Sequence, residues 1–193
     1  MLESLTSYDA TDKVAKAYAN MYKKQVVTEA IDTIDKANTQ LLKYSWHPRN
    51  LEKVKAAIKN GADVHINNDE ALIQACERGY FDIVKYLVDK GANIHAEDDA
   101  AIAVLWENSI GGLTSHPDDK EYVDILKYLI KKGVDINIMD GVLLAVAAEF
   151  GNIELIEWLK NNGLKINDSI LKDAIKTSIS IYPKVTKYLE NLK

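Results

Sequence analysis

Two histidines, His65 and His95, recur at one position of a repeating pattern that Asn137 and Asn167 also occupy. A metal site built on them needs a third ligand and an open coordination position. Nothing nearby supplies a ligand motif. Asparagine replaces histidine freely there, so the expected role is a hydrogen bond from each side chain to backbone in its own connecting segment. His47 and His116 are lone loop histidines. The one cysteine, Cys76, follows Ala75 in a small-residue pair matched by Ala147-Ala148, and reads as packed core rather than nucleophile. No phosphate loop, zinc spacing or His–acid pairing with a nucleophile appears. The sequence therefore predicts no catalytic residue, no cofactor and no metal, and directs attention to binding.

Binding without a cleft needs a surface, and four glycines show how one is built. Gly61 stands in Lys59-Asn60-Gly61-Ala62-Asp63-Val64-His65. Gly91 stands in Asp89-Lys90-Gly91-Ala92-Asn93-Ile94-His95. Gly133 and Gly163 open the matching segments Gly133-Val134-Asp135-Ile136-Asn137 and Gly163-Leu164-Lys165-Ile166-Asn167. The spacings are 30, 42 and 30 residues. A fixed period of this size means stacked supersecondary units, none able to bury its apolar face alone.

The segment Ala75-Cys76-Glu77-Arg78-Gly79-Tyr80-Phe81-Asp82-Ile83-Val84-Lys85-Tyr86-Leu87 resembles the second half of an ankyrin repeat, and Ala147-Ala148-Glu149-Phe150-Gly151-Asn152-Ile153-Glu154-Leu155-Ile156 matches equally well. The resemblance covers roughly residues 38 to 193 and departs from the family in two ways. Glu70-Ala71-Leu72-Ile73 and Gly141-Val142-Leu143-Leu144 stand where the family has Thr-Pro-Leu-His. The period is 30 rather than the usual 33 or so. The deficit falls between the Gly-Ala-Asp segment and the next helix, where it should shorten or abolish the projecting hairpin. The resemblance implies an all-α, ankyrin-like helical solenoid with shortened hairpin connections. It also implies a non-enzymatic protein-binding role.

Bulk composition is consistent with one sizeable core or one elongated stack. Of 193 residues, 47% are apolar and 27% charged, the ordinary globular range. The net charge of −5 disfavours direct nucleic-acid binding through phosphates. No apolar run approaches the roughly 18 residues of a membrane span, and no secretory signal is visible at Met1-Leu2-Glu3-Ser4, so a cytoplasmic location is expected. The 24 basic residues include only two arginines, Arg49 and Arg78. Short repeats of this kind are familiar in ankyrin proteins of large DNA viruses and some microbes, and the lysine bias points to an AT-rich genome, as in viruses, phages and low-GC bacteria.

Residues 1–37 do not fit the repeat and read as an N-terminal helical extension. Val14, Ala17, Tyr18, Met21 and Tyr22 form one helical stripe, and Val26, Ala30, Ile31 and Ile34 a second. One reading is a cap over the first repeat, with Trp46 packed against the N-terminal helices. The other is a partner-binding or dimerising helix anchored by Tyr8, Tyr18 and Tyr22, which makes homo-oligomerisation through this segment a further expectation. The repeats then run 38–66, 67–96, 97–138, 139–168 and 169–193, the last a C-terminal cap. The third carries an insertion at 109–121 whose Gly111-Gly112 and Pro117 oppose helix. It is expected to be among the most mobile parts of the chain, either as a tolerated surface loop or as a functional one. Tyr86, Tyr128, Trp158 and Tyr188 share one repeat position and read as inter-repeat core.

Charge is split between the two helices of each repeat. In the family, first helices and connecting segments line a concave face. Here they contribute Asp69, Glu70, Glu77, Glu97, Asp98, Asp99, Glu107, Asp140 and Glu149, against Lys53, Lys55, Lys85, Lys127, Lys131 and Lys160 on second helices. Such a split steers partners by sign. Phe150 falls where the family is usually polar and exposed, and an aromatic in an acidic concavity is a hot-spot candidate. The expected partner-binding set is Asp69, Glu77, Arg78, Asp98, Glu107, Asn108, Asp140, Glu149 and Phe150, facing a protein with a basic surface. In a viral or phage setting it would occupy a host factor. Two alternatives are an acidic nucleic-acid mimic that blocks a DNA-binding enzyme and a cellular ankyrin scaffold.

Overall fold

In the computed structural model the described residues are 4–110, 119–149, 151–178 and 182–192, with side chains described from Lys16 onward except at 106–110, 119, 139 and 140. The helices are α1 Ser4–Trp46, α2 Leu51–Lys59, α3 Ile66–Glu77, α4 Phe81–Asp89 and α5 Ala96–Ile110, followed by α6 Asp119–Lys132, α7 Val142–Glu149, α8 Ile153–Asn161, α9 Asp168–Ser178 and α10 Pro183–Glu190. A 3₁₀ turn, Ile138–Gly141, leads into α7. The end of α1 pairs with α2, and each later odd-numbered helix pairs with the next. The end of α1, then α3, α5, α7 and α9, stack in one row, while α2, α4 and α6 stack in a second. No strand occurs among the described residues. The chain is an all-α solenoid.

The second helices show why the chain folds this way. Ile83, Val84 and Leu87 are fully buried in α4, and Ile125, Leu126 and Leu129 take the same places in α6. Leu155, Ile156 and Leu159 repeat them in α8, as do Val185, Thr186 and Leu189 in α10. Spacing of i, i+1, i+4 makes one apolar stripe per helix. Each such side chain contributes about 1.5–3 kcal/mol on burial. Thr186 is the polar exception, and its Oγ1 lies 2.9 Å from Ser178 Oγ on α9, so the pair satisfies itself inside the last repeat.

Helix ends are closed by side chains. Asn50 and Asn152 cap α2 and α8, accepting from Lys53 N and Leu155 N at 3.0 and 2.9 Å. Tyr80 precedes α4 and has no such oxygen. Glu121 of α6 stands in, accepting from Phe81 N at 3.4 Å. The Arg49 guanidinium holds that carboxylate at 2.9 Å and Asp82 at 2.8 Å, joining three successive repeats. At the carboxyl ends the recurrent glycine is a conformational requirement: Gly91 has φ +100, and Ala92 N–H closes back on Leu87 O at 3.0 Å.

The connecting loops replace the missing hairpin with side-chain hydrogen bonds. Asp63, Asn93 and Asp135 each accept the backbone N–H two residues on, at 2.9, 3.0 and 2.9 Å, which makes a tight Asx turn. Successive repeats are then tied together. Asn38 accepts from Asp63 N, Asp69 from Asn93 N, and Asn137 from Lys165 N, each at 2.8 Å. The two histidines depart from expectation here. Their Nδ1 atoms meet carboxylates, His65 with Asp69 at 3.0 Å and His95 with Asp99 at 2.6 Å. The reason is local geometry. Asn67-Asn68-Asp69 and Glu97-Asp98-Asp99 are all left-handed, with φ between +50 and +65, and this folds the carboxylate four residues on back toward the ring. Left-handed turns cost L-residues roughly 1–2 kcal/mol each. The hydrogen bonds that hold these turns include Asn68 Nδ2 to the Glu97 carboxylate of the next loop.

The N-terminal extension is not a separate helix. Nothing in the sequence before Pro48 breaks α1, which runs for 43 residues as one rod, about 65 Å at 1.5 Å per residue. Among its described side chains only those at its end enter the core, through Ala37, Leu41 and Ser45. Every residue from 16 to 36 is exposed, and near the end of this stretch Ile34 reaches the first repeat, its Cγ1 3.7 Å from where a Cβ on Gly61 would stand. Trp46 does not pack on the extension; its ring stacks against Arg78 of the following repeat. In the 109–121 insertion, residues 109–110 finish α5 and 119–121 begin α6, while 111–118 lie outside the described residues.

Candidate partner-binding face

The first-helix row and its loops carry the residues singled out from sequence, and the structure separates them. Asp69 is 4% exposed, held by His65 and by the N–H of Asn93. It is a corrected assignment: a carboxylate consumed by the loop ladder presents nothing to a partner. Asp98, in the next loop, is exposed. Glu70 is half-buried and engaged by Asn67 and Gln74, at 2.7 Å each. Arg78 is also turned inward, with its guanidinium 3.5 Å from the Trp46 ring centroid and its Nε buried. The side chains of Glu107, Asn108 and Asp140, and all of Phe150, lie outside the described residues.

Glu77 and Glu149 hold equivalent positions and are the last residues of α3 and α7. A carboxylate there meets the negative end of its own helix dipole, an unfavourable place for an anion. Glu149 is half-buried, and its Oε2 is inaccessible to solvent without a hydrogen bond inside the protein. Burial pushes its carboxyl above the ordinary glutamate range.

The second-helix aromatics are half-buried rather than full core. Lysines lie over their rings: Lys90 over Tyr86 at 5.6 Å, Lys132 over Tyr128 at 5.3 Å, Lys127 over Trp158 at 5.8 Å and Lys160 over Tyr188 at 5.9 Å. Cys76 is fully buried, and burial pushes its thiol up, which suits core and not chemistry. Among the described residues no three His, Cys, Asp or Glu side chains converge on a metal position. No described helix is long and apolar enough to cross a membrane.

The helix-pair geometry has a counterpart among known families. Residues 14–98 match the family model for ankyrin repeats, three copies. Residues 14–98 carry ankyrin repeats. The ankyrin match begins within α1 and ends in the loop opening α5, and the same helix-pair arrangement continues through α10. A search of curated proteins found no match to the chain. Ankyrin repeats form protein–protein interaction modules, and that is the level at which the family speaks for this chain.

Sequence reasoning missed the loop ladder and the arginine contacts. The ladder had a signal: Asp, Asn and Asp recur two residues after the glycine at 63, 93 and 135. The two arginines had one as well, since in a lysine-rich chain both fall at turns between helices of one pair.

Proposed function

We propose that the first-helix row binds a protein partner through a basic or hydrogen-bond-donating surface, with Glu77 and Glu149 at its centre and Glu97 and Asp98 at its loop edge. The observation that carries this is the Glu149 carboxylate. It sits half-buried at the wrong end of a helix dipole with one oxygen unpartnered. A lysine or arginine from outside, paired with the accessible part of this half-buried carboxylate, supplies the counter-charge it lacks. Phe150 follows as the candidate apolar anchor beside it. Asp69 and Arg78 act through structure, holding the loops and helix ends that present the face. The role is that of a binding module without catalysis. The 30-residue repeats and lysine bias support a viral or phage setting in which the partner is a host factor.

The test is a peptide-display selection on the immobilised chain, counter-selected on a Glu77→Lys/Glu149→Lys variant. Enrichment of Lys/Arg-rich sequences that lose affinity for the variant supports the reading. Binders indifferent to both substitutions would move the site elsewhere.

A further inference from the structure

Both arginines of the chain lie over aromatic rings. Arg49 is 5.4 Å from the Tyr80 ring centroid while it pairs with Asp82 and Glu121, and Arg78 is 3.5 Å from that of Trp46. Lysines take the same place elsewhere: Tyr44, Tyr86, Tyr128, Trp158 and Tyr188 each carry one at 5.3–5.9 Å. Among the described side chains from Tyr44 onward, two tyrosines have no such cation, Tyr122 and Tyr182. Tyr122 is 5% exposed, and its hydroxyl donates to Glu77 O. Tyr182 is 36% exposed, the one exposed large apolar side chain among the described residues outside α1.

The two tyrosines hold equivalent positions, three residues before the buried Ile125 and Val185. Each lies across a glycine of the preceding repeat. A Cβ on Gly79 would stand 2.7 Å from the Tyr122 ring, and one on Gly151 2.6 Å from the Tyr182 ring. Each glycine follows a glutamate by two residues, Glu77 and Glu149. In the earlier pair the tyrosine spans from the glycine to the glutamate, its hydroxyl reaching Glu77 O at 2.9 Å. The same register sets Tyr182 beside Glu149. Its backbone is fixed on both sides, since Tyr182 N–H donates to Ser178 O at 2.8 Å and its carbonyl accepts from Thr186 N at 3.0 Å.

This junction therefore holds an exposed ring and a half-buried carboxylate at the negative end of α7. At Tyr80 the chain sets its own guanidinium between ring and carboxylates. At Tyr182 no described lysine or arginine takes that place. A guanidinium suits such a place better than an ammonium. It is planar, stacks on an aromatic face while forking onto a carboxylate, and is the more weakly hydrated of the two.

We propose that Tyr182 and Glu149, from successive repeats, form an arginine subsite at the edge of the partner-binding face. The guanidinium of a partner's arginine stacks on the Tyr182 ring and pairs with the accessible part of the Glu149 carboxylate. The subsite rests on the reading that Glu149 faces a basic partner, and adds that arginine is preferred to lysine there. Its two walls come from neighbouring repeats, so it exists only where α7 and α9 are stacked.

NMR titration of the full chain with N-acetyl-arginine amide is the first test. The Gly151 amide and Tyr182 ring signals should shift with a Kd in roughly the millimolar range, and N-acetyl-lysine amide should bind several-fold more weakly. Tyr182→Leu should remove the difference between the two probes, while Tyr182→Phe keeps it. No shift at Gly151 or Tyr182, or equal affinity for both probes, overturns the subsite without recourse to any variant. The display selection then separates the subsite from the reading it rests on. Support comes from Glu149-dependent binders with a fixed arginine whose replacement by lysine weakens them about fivefold or more on the wild type, but not on Tyr182→Leu. Glu149-dependent binders that accept lysine equally well overturn the subsite and leave the basic-partner reading standing. Binders indifferent to Glu149→Lys overturn both.

Discussion

The Arg78 guanidinium lies 3.5 Å from the centroid of the Trp46 ring, joining the carboxyl end of α3 to that of α1. A cation at two helix carboxyl ends satisfies both dipoles. The flat ring gives the buried Nε, which has no hydrogen-bond partner, a π face instead. Guanidinium stacks where ammonium does not, which accounts for an arginine here in a chain whose other cations are nearly all lysine. Trp46→Ala and Arg78→Ala should each lower stability by about 1–3 kcal/mol, with Arg78→Lys recovering less than half. Urea unfolding of the two single variants and the double gives the coupling. Strict additivity would show the stack to be incidental.

The loop ladder makes a separate prediction at Asp69. This carboxylate accepts from Asn93 N at 2.8 Å and faces His65 Nδ1 at 3.0 Å, at a residue with φ +63. Asp69→Ala leaves a backbone N–H orphaned and puts alanine in a left-handed conformation. The expected cost is about 1–3 kcal/mol. Asp69→Asn keeps both an acceptor and tolerance of that conformation, and should cost less than half as much. Asp98→Ala, which removes an exposed carboxylate but shares the left-handed backbone, isolates the strain. Thermal unfolding ranks the three, and equal losses for Asp69→Ala and Asp69→Asn would refute the ladder.

The solenoid was legible because its signals repeat. The glycine pattern recurs at intervals of 30, 42 and 30 residues, and the i, i+1, i+4 stripe of the second helices keeps step with it. The loop conformation was not legible in the same way. Asn67, Asn68 and Asp69 tolerate left-handed backbone individually, but Glu97 in the equivalent place does not favour it, so the turn is imposed by tertiary context. The inward turn of Asp69 and Arg78 was hidden for a related reason. Charge in sequence reads as surface, and only three-dimensional proximity shows that a backbone N–H or an indole ring has claimed it. The unbroken course of α1 had a direct signal, the absence of Gly or Pro before Pro48. The exposure of residues 16–36 had none, since two apolar stripes fit a cap as well as an interface.

Gly79 is fixed by a neighbour as well as by its own backbone. It has φ +70, and a Cβ built on it would lie 2.7 Å from the Tyr122 ring. The ring cannot easily retreat, because it is buried and its hydroxyl donates to Glu77 O at 2.9 Å. Gly79→Ala should therefore destabilise by about 2 kcal/mol or more, through the φ penalty and the clash together. In a Tyr122→Leu background the clash disappears and only the φ part should remain. Chemical denaturation of the cycle separates the two. Full additivity would mean that the ring moves aside at no cost.

Glu149 ties stability to binding with opposite signs. Burial raises its folded-state carboxyl above the value it has in the unfolded chain. The folded protein then binds the proton more tightly, so the charged form opposes folding. The penalty is absent below the unfolded value, grows as pH rises toward the folded value, and is complete above it. Glu149→Gln removes the charge and should stabilise the protein at neutral pH, with the gain vanishing in acid. The same substitution should weaken a basic partner selected on this face by roughly tenfold or more, since a charge-assisted hydrogen bond is lost. Melting curves across pH and titration calorimetry with the selected peptide measure the two halves. A variant more stable and less competent identifies a residue held for its partner and not for the fold. If Glu149→Gln is instead less stable at neutral pH, the carboxylate is satisfied internally and the centre of the face lies elsewhere on the first-helix row.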